Sequence, residues 1–230
     1  MMNVTCIVAA AGKGKRLRRR KEKPFLLLGR KPLIIHTLEA LNAIKYIDRI
    51  IVVVAHDKVD DCKRLVTKYR LNKVYDIVKG GKRRFDSVKN GLAKVKEADY
   101  ILIHDGARPF IRTSLVKKII FATRRFKAAI PATPSKQTLK LVDKGLFVKR
   151  TPERSFLWEA QTPQGFKRHV ITEAYKKVSG RNVTDDSNII EHIGYRVKIV
   201  KGSPWNIKIT TPEDLLLAEG IIKHGLKFIS

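Results

Sequence analysis

"VTCIVAAAGKGKRLRRRKEKP", residues 4–24, begins as a continuous apolar run and turns abruptly into glycine and charge. An unbroken apolar run of strand length, rather than an alternating one, suits a strand buried on both faces, as in a parallel sheet. Residues 9–24 then bring two glycines, eight Lys or Arg and one Glu, with no apolar periodicity. Glycines allow tight turns and let backbone N–H groups approach an anion closely. So much positive charge where a buried strand ends has two readings: a tail-like patch for nucleic acid, or a loop shaped for one polyphosphate.

Outward from this stretch, strand-length apolar runs alternate with segments of helical period. Residues 49–55, 73–78, 99–104 and 127–132 read as strands; 32–44, 58–70, 84–95 and 114–126 carry apolar residues at i, i+3, i+4 spacing. Pro32 and Ser114 suit helix first turns or caps. The alternation predicts an α/β fold, an open, doubly wound, mostly parallel sheet whose ligands bind beyond the carboxyl ends of its strands. The pattern breaks after residue 132. Residues 137–150 read as two period-2 segments around Asp143-Lys144-Gly145, a hairpin signal. An isolated strand pair is marginal in water, so this hairpin is expected to pack on a second, symmetric subunit. Helices near 167–178 and after Thr184-Asp185, a strand at 195–200 and a last helix from Thr211 to about Gly225 complete one domain, 1–230, with a β-arm excursion at 133–158.

With 43% hydrophobic and 30% charged residues the composition is that of a globular chain. No apolar run reaches the ~18 residues of a membrane span, and the basic cluster follows the apolar run instead of preceding it, unlike a signal peptide. The expected location is therefore cytoplasmic. Cys6 and Cys62 fit no metal-ligand spacing and are expected to be reduced packing residues. The formal charge of +28, from 49 basic and 21 acidic residues, favours anionic partners. It does not choose between a nucleic acid and a nucleotide. Aromatic content of 7% disfavours a base-stacking platform.

Four segments carry possible chemistry, the first within the opening stretch. "AAAGKGKR" is neither a Walker A loop nor a dinucleotide fingerprint, since Leu17 holds the third glycine position; a plain strand-to-helix turn explains it equally well. In "GGKRRFDSVKNGL" (80–92), backbone amides with Arg84 and Ser87 can read a base edge, or form an ordinary loop. In "IHDGARPF" (103–110), Asp105 at a strand's carboxyl end can hold a metal or a hydroxyl and Arg108 a phosphate; Asp105 can equally serve as a turn residue. "NIKITTPEDL" (206–215) places Lys208 on a strand entering the last helix, where it can also simply face solvent.

Taken in order, these segments resemble the 2-C-methyl-D-erythritol 4-phosphate cytidylyltransferase family of the non-mevalonate isoprenoid pathway, and "WEAQTPQGF" and "VTDDSNIIE" fit it too. The resemblance implies a Rossmann-like nucleotidyltransferase sheet with a β-arm that interlocks two subunits. It implies that Ala10, Ala11, Gly12 and Gly14 form the turn holding CTP, with Arg16 and Lys23 stabilising the transition state. Gly81, Arg84 and Ser87 would surround cytosine and ribose, with Asp105 and Arg108 near the reacting groups. Lys208 would contact the methylerythritol phosphate, and Thr138, Arg154 and Thr184 would complete that pocket from the other subunit's arm region. Mg²⁺, held mainly by CTP phosphates and near Asp105, is the implied cofactor. Two positions depart from the family: Glu22 stands before Lys23 where Pro is usual, and Lys82 stands where an acidic or small residue is common. A sister activity, ribitol 5-phosphate cytidylyltransferase, differs only in the sugar pocket, and the basic charge keeps a nucleic-acid-binding protein as the alternative of another class.

Overall fold

The computed structural model describes residues 2–12, 25–179 and 183–225. The opening apolar run forms β1 (Val4–Ala10), hydrogen-bonded in parallel on both sides. Its neighbours are β4 (Arg49–Val54) and β6 (Tyr100–Asp105), so that Ile7 lies beside Ile51 on one side and Ile103 on the other. β5 (Val74–Lys79) extends the sheet beyond β4. Two short strands, β2 (Leu27–Leu28) and β3 (Lys31–Pro32), precede the first helix. The helices between the strands are α1 (Leu33–Asn42), α2 (Val59–Lys68), α3 (Arg84–Leu92) and α4 (Thr113–Phe126).

Both faces of the sheet are covered, which is why its strands are apolar without alternation. Cys6, Val8 and Ala10 of β1 pack with Ile34, Leu38 and Leu41 of α1 and Val116 and Ile119 of α4. Ile7, one position out of phase, joins Ile51, Val53 and Val88 on the other face, with residues of α5 (Arg168–Lys177) and α6 (Asp186–His192). Each fully buried aliphatic side chain in these layers contributes roughly 1.5–3 kcal/mol. α4 shows how the period sorts the residues: Leu115, Val116, Ile119, Ile120 and Thr123 are buried, while Lys117, Lys118, Arg124 and Arg125 face out. Burial pushes the thiol of Cys6 far up and that of Cys62 to about 12. Both are free, as expected.

The second half departs from the simple alternation. β7 (Ala128–Pro134) does not pair with β6. Instead β11 (Gln164–Lys167) lies between them, antiparallel to both. β10 (Trp158–Ala160) pairs antiparallel with β7, and β12 (Lys198–Lys201) pairs with it in parallel. The hairpin is present but shorter than its 14-residue sequence signal. β8 (Leu141–Val142) and β9 (Val148–Arg150) flank a five-residue turn in which Asp143 Oδ1 accepts the amides of Gly145 and Phe147. Leu146, not Gly145, takes the left-handed conformation, with φ of 65°. α7 (Pro212–His224) starts as its sequence predicts, with Pro212 in the first turn and Thr211 capping. Thr211 Oγ1 accepts the Asp214 amide while the Asp214 carboxylate accepts the Thr211 amide, a reciprocal capping box. α7 seats Leu215 and Ala218 against Leu28, Leu33, Ala107 and Ile209.

Candidate active site

The chain runs outward from β1 to β4 and β5, then returns to place β6 on the other side of β1. This reversal opens a crevice at the carboxyl ends of β1 and β6, where sheets of this kind bind ligands. Ala10 ends β1, followed by Ala11 and Gly12, and Asp105 ends β6. Small residues are required here by packing. A Cβ on Gly80 would lie 2.3 Å from that of Ala11, and one on Gly106 2.8 Å from that of Ala10. Gly14, Arg16 and Lys23 lie outside the described residues.

Three cations converge on Asp105 from three separate parts of the chain. Lys208 Nζ is 2.8 Å from its Oδ2, Arg108 Nε 3.5 Å from the same oxygen, and Arg84 Nε 3.6 Å from Oδ1. Burial alone would raise the Asp105 pKa, but Arg84, Lys208 and Arg108 outweigh it and hold the carboxyl far below its usual range. Arg108 also donates from Nη1 to the Asn206 carbonyl at 2.6 Å, and Asn206 Nδ2 donates to the Thr162 carbonyl at 2.7 Å. Lys208 is thus anchored through its neighbours, but on irregular backbone rather than the predicted strand. One bond, Ile209 N–H to the Ala107 carbonyl, ties that segment to the end of β6 instead of a ladder. Ser87 is engaged locally: its hydroxyl accepts the Gly81 amide and donates to the Arg83 carbonyl, both at 3.0 Å.

Thr138 and Arg154 do not join this cluster. Arg154 lines an open cavity with Pro134, Ser135, Lys136 and Ser155 at the β7–β10 side of the sheet, its Nη1 3.5 Å from the Lys136 carbonyl. Thr138 is exposed nearby in sequence, and Thr184 is exposed just before α6.

Sequence reasoning missed a fully buried histidine under the cluster. The Arg108 carbonyl can only accept, so His104 Nε2 carries the proton and donates to it at 3.1 Å. His104 Nδ1 therefore accepts the Thr162 hydroxyl at 3.0 Å, and Thr162 Oγ1 in turn accepts the Asp105 amide. Desolvation lowers the His104 pKa from 6.5 to about 4. The unfolded chain binds this proton from pH 6.5 downward and the folded chain not until about pH 4. Stability is accordingly full above pH 6.5 and is expected to fall by roughly 3 kcal/mol as pH drops through that interval. Denaturant unfolding at pH 7, 5.5 and 4 checks this; His104→Gln should lack most of the fall, and an equal fall in both proteins would place the acid sensitivity elsewhere. Asp186 was also missed. Its sequence signal, the second Asp of "TDD", reads as an ordinary first-turn residue beside the capping Asp185, whose Oδ1 accepts the Asn188 amide.

An open α/β sheet with a carboxylate and three converging cations at its switch point defines a Rossmann-like protein whose crevice suits anionic ligands. Comparison narrows this class: the model of the 2-C-methyl-D-erythritol 4-phosphate cytidylyltransferase family matches residues 4–224. The chain belongs to that family. Relatives of that name from Alkaliphilus metalliredigens and Geobacillus thermodenitrificans are each 44% identical, covering 96% of this chain and 93% and 97% of theirs. The crystal structure of 4-diphosphocytidyl-2C-methyl-D-erythritol synthase from Anaerococcus prevotii superposes with a TM-score of 0.85 at 35% identity, covering 96% and 99% of the two chains. That of the Thermus thermophilus cytidylyltransferase gives 0.76 at 28% identity, covering 96% and 100%. Among the described residues no helix is long and apolar enough to cross a membrane.

Proposed function

We propose that this chain transfers CMP from CTP to 2-C-methyl-D-erythritol 4-phosphate, giving 4-CDP-2-C-methyl-D-erythritol and pyrophosphate. Membership of the family over nearly the whole chain carries this reading, and the cation cluster at the strand ends supports it. A phosphate oxygen of the sugar attacks the α-phosphorus of CTP in line, and the bond to the bridging oxygen of the β-phosphate breaks. The nucleophile is already anionic at neutral pH, because the second pKa of a phosphate monoester is ~6. No general base is needed. The barrier is electrostatic, since two anions must meet while charge builds on the α-phosphate and the leaving group.

Arg16, Lys23 and Lys208 answer that charge. Ala10, Ala11, Gly12 and Gly14 hold the triphosphate, while Gly81, Arg84, Ser87 and Asp105 hold the nucleoside. Arg108, Thr138, Arg154, Thr184 and Lys208 hold the sugar phosphate. Among the described residues no group of three His, Cys, Asp or Glu side chains could hold a metal ion, and Asp105 is already surrounded by cations. We accordingly assign Mg²⁺ mainly to triphosphate oxygens, near Asp105, whose own oxygens already face Lys208, Arg108 and Arg84. Bound there, the ion supplies neutralisation of phosphate charge. The reading includes a cytoplasmic enzyme with one nucleotidyltransferase domain, 1–230.

A homodimer joined through the arm, 133–158, belongs to the same proposal. The hairpin region exposes Leu146 at 79%, Phe147 at 76% and Phe156 at 77%, apolar area that a second subunit would cover. Arg154 would then serve the partner's site. Mixing Arg154→Ala with Arg16→Ala subunits, each inactive alone, should restore part of the activity; verified heterodimers without any recovery would rule out sharing of the site.

Pyrophosphate release with CTP and Mg²⁺ tests the function, comparing methylerythritol phosphate, ribitol 5-phosphate and no sugar. Release with the first alone is expected. Release with ribitol phosphate alone would move the chain to the sister activity, and silence with both would overturn the proposal.

A further inference from the structure

Arg84 is gripped from two sides. Its Nη2 donates to Asp186 Oδ2 at 2.6 Å, whereas its contact with Asp105, 3.6 Å from Nε, is longer than a hydrogen bond. Asp186 has no exposed surface. A carboxylate so placed must have both oxygens compensated, and it does: Oδ1 accepts the Tyr175 hydroxyl at 2.6 Å. Tyr175 is itself fixed, since its ring stacks on Phe85 with centroids 4.6 Å apart and planes at 15°. Phe85 follows Arg84 at the start of α3. Two consecutive side chains of α3 are thereby held by α5 and α6, from 90 or more residues further along the chain.

We infer that Asp186, oriented by Tyr175, is a positioning residue for nucleotide binding. It holds the far nitrogen of the Arg84 guanidinium, so that the near edge faces the crevice without closing onto Asp105. The inference rests on the function proposed above and deepens it. A guanidinium has five N–H donors in a fixed fork. With Nη2 spent on Asp186, the remaining donors stay available to an incoming nucleotide. Without Asp186 the nearest carboxylate is Asp105. Arg84 would close the 3.6 Å gap, and the direct pair would occupy donors and acceptor together. A buried ion pair is weak evidence for stability as such. Here the pair lies beside the crevice, and its geometry explains why Arg84 stands off from Asp105.

The test uses Asp186→Asn, Tyr175→Phe and Arg84→Ala in the full-length protein. The readings are the dissociation constant for CTP by calorimetry without sugar phosphate, and the separate kcat and KM values of pyrophosphate release. Asp186→Asn should weaken CTP binding about tenfold and Tyr175→Phe about threefold, as loss of one charge-assisted and one ordinary contact. The KM for the sugar phosphate should stay within about twofold, a split that general destabilisation would not produce. In the Arg84→Ala background, Asp186→Asn should add less than about twofold. Unchanged CTP affinity in folded Asp186→Asn, or an undiminished effect without Arg84, would overturn the inference. Should Asp186→Asn fail to fold, Tyr175→Phe decides, because it leaves the ion pair in place; unchanged CTP affinity in that variant is again an overturning result. An inactive wild type that does not bind CTP would instead overturn the function on which the inference rests.

Discussion

Lys208→Ala is expected to lower kcat by about 10²–10³, with the folded protein nearly as stable as the wild type. Lys208 Nζ sits 2.8 Å from Asp105 at the mouth of the crevice, on a segment anchored by the Asn206–Thr162 and Ile209–Ala107 bonds. A cation held in advance where negative charge develops costs no reorganisation at the moment of reaction, and removing one such donor forfeits about 3–4 kcal/mol of transition-state stabilisation. Its side chain remains 38% exposed, so as an ion pair it adds at most about 1 kcal/mol to folding. Activity and stability therefore separate. Pyrophosphate release and thermal unfolding measured on the same preparation check this, and turnover within threefold of wild type would remove Lys208 from the chemistry. Lys208→Arg should recover only part of the rate, because a planar fork replaces a compact charge.

Asp105→Asn is expected to affect both properties. The carboxylate is the shared partner of Arg84, Arg108 and Lys208, and its side chain is only 9% exposed. Removing one member of a buried pair leaves uncompensated charge, at a cost of about 3–5 kcal/mol. Arg84 and Lys208 keep about a third of their surface in water, which places the loss near the low end, about 3 kcal/mol. The three released cations should bind phosphates more avidly. Tripolyphosphate should accordingly raise the unfolding midpoint of Asp105→Asn more than that of the wild type. Denaturant unfolding with and without tripolyphosphate measures both effects; a loss below about 1 kcal/mol would mean that Asp105 does not hold the cluster together.

The first half of the fold was legible because its signals are local. The apolar runs of β1, β4 and β6 need two covered faces, and the helical periods between them supply the cover. Helix starts with strong chemistry, such as Thr211, Pro212 and Asp214, were readable for the same reason. β11 was not legible. Its four residues carry little pattern, and its place between β6 and β7 rests on pairing across some 60 residues in one direction and some 40 in the other. The hairpin turn was legible at Asp143-Lys144-Gly145, but nothing in the sequence marked Leu146 as its residue of positive φ.

The site divides along the same line. Residue types and order in "GGKRRFDSV", "HDGARP" and "NIKITTPEDL" named Arg84, Asp105, Arg108 and Lys208 from sequence alone, because their chemistry is carried by short contiguous motifs. Their convergence on one carboxylate, and the contacts that His104, Thr162, Tyr175 and Asp186 make around them, were decided by tertiary structure. A buried histidine or a second aspartate in a helix's first turn looks the same in sequence whether it packs, caps or positions. Sequence by itself determined the alternation of strand and helix, and with it the strand ends at which the candidate site lies. Only the folded chain decided which polar groups lose water together, and it is that shared burial that commits each of them to a single partner.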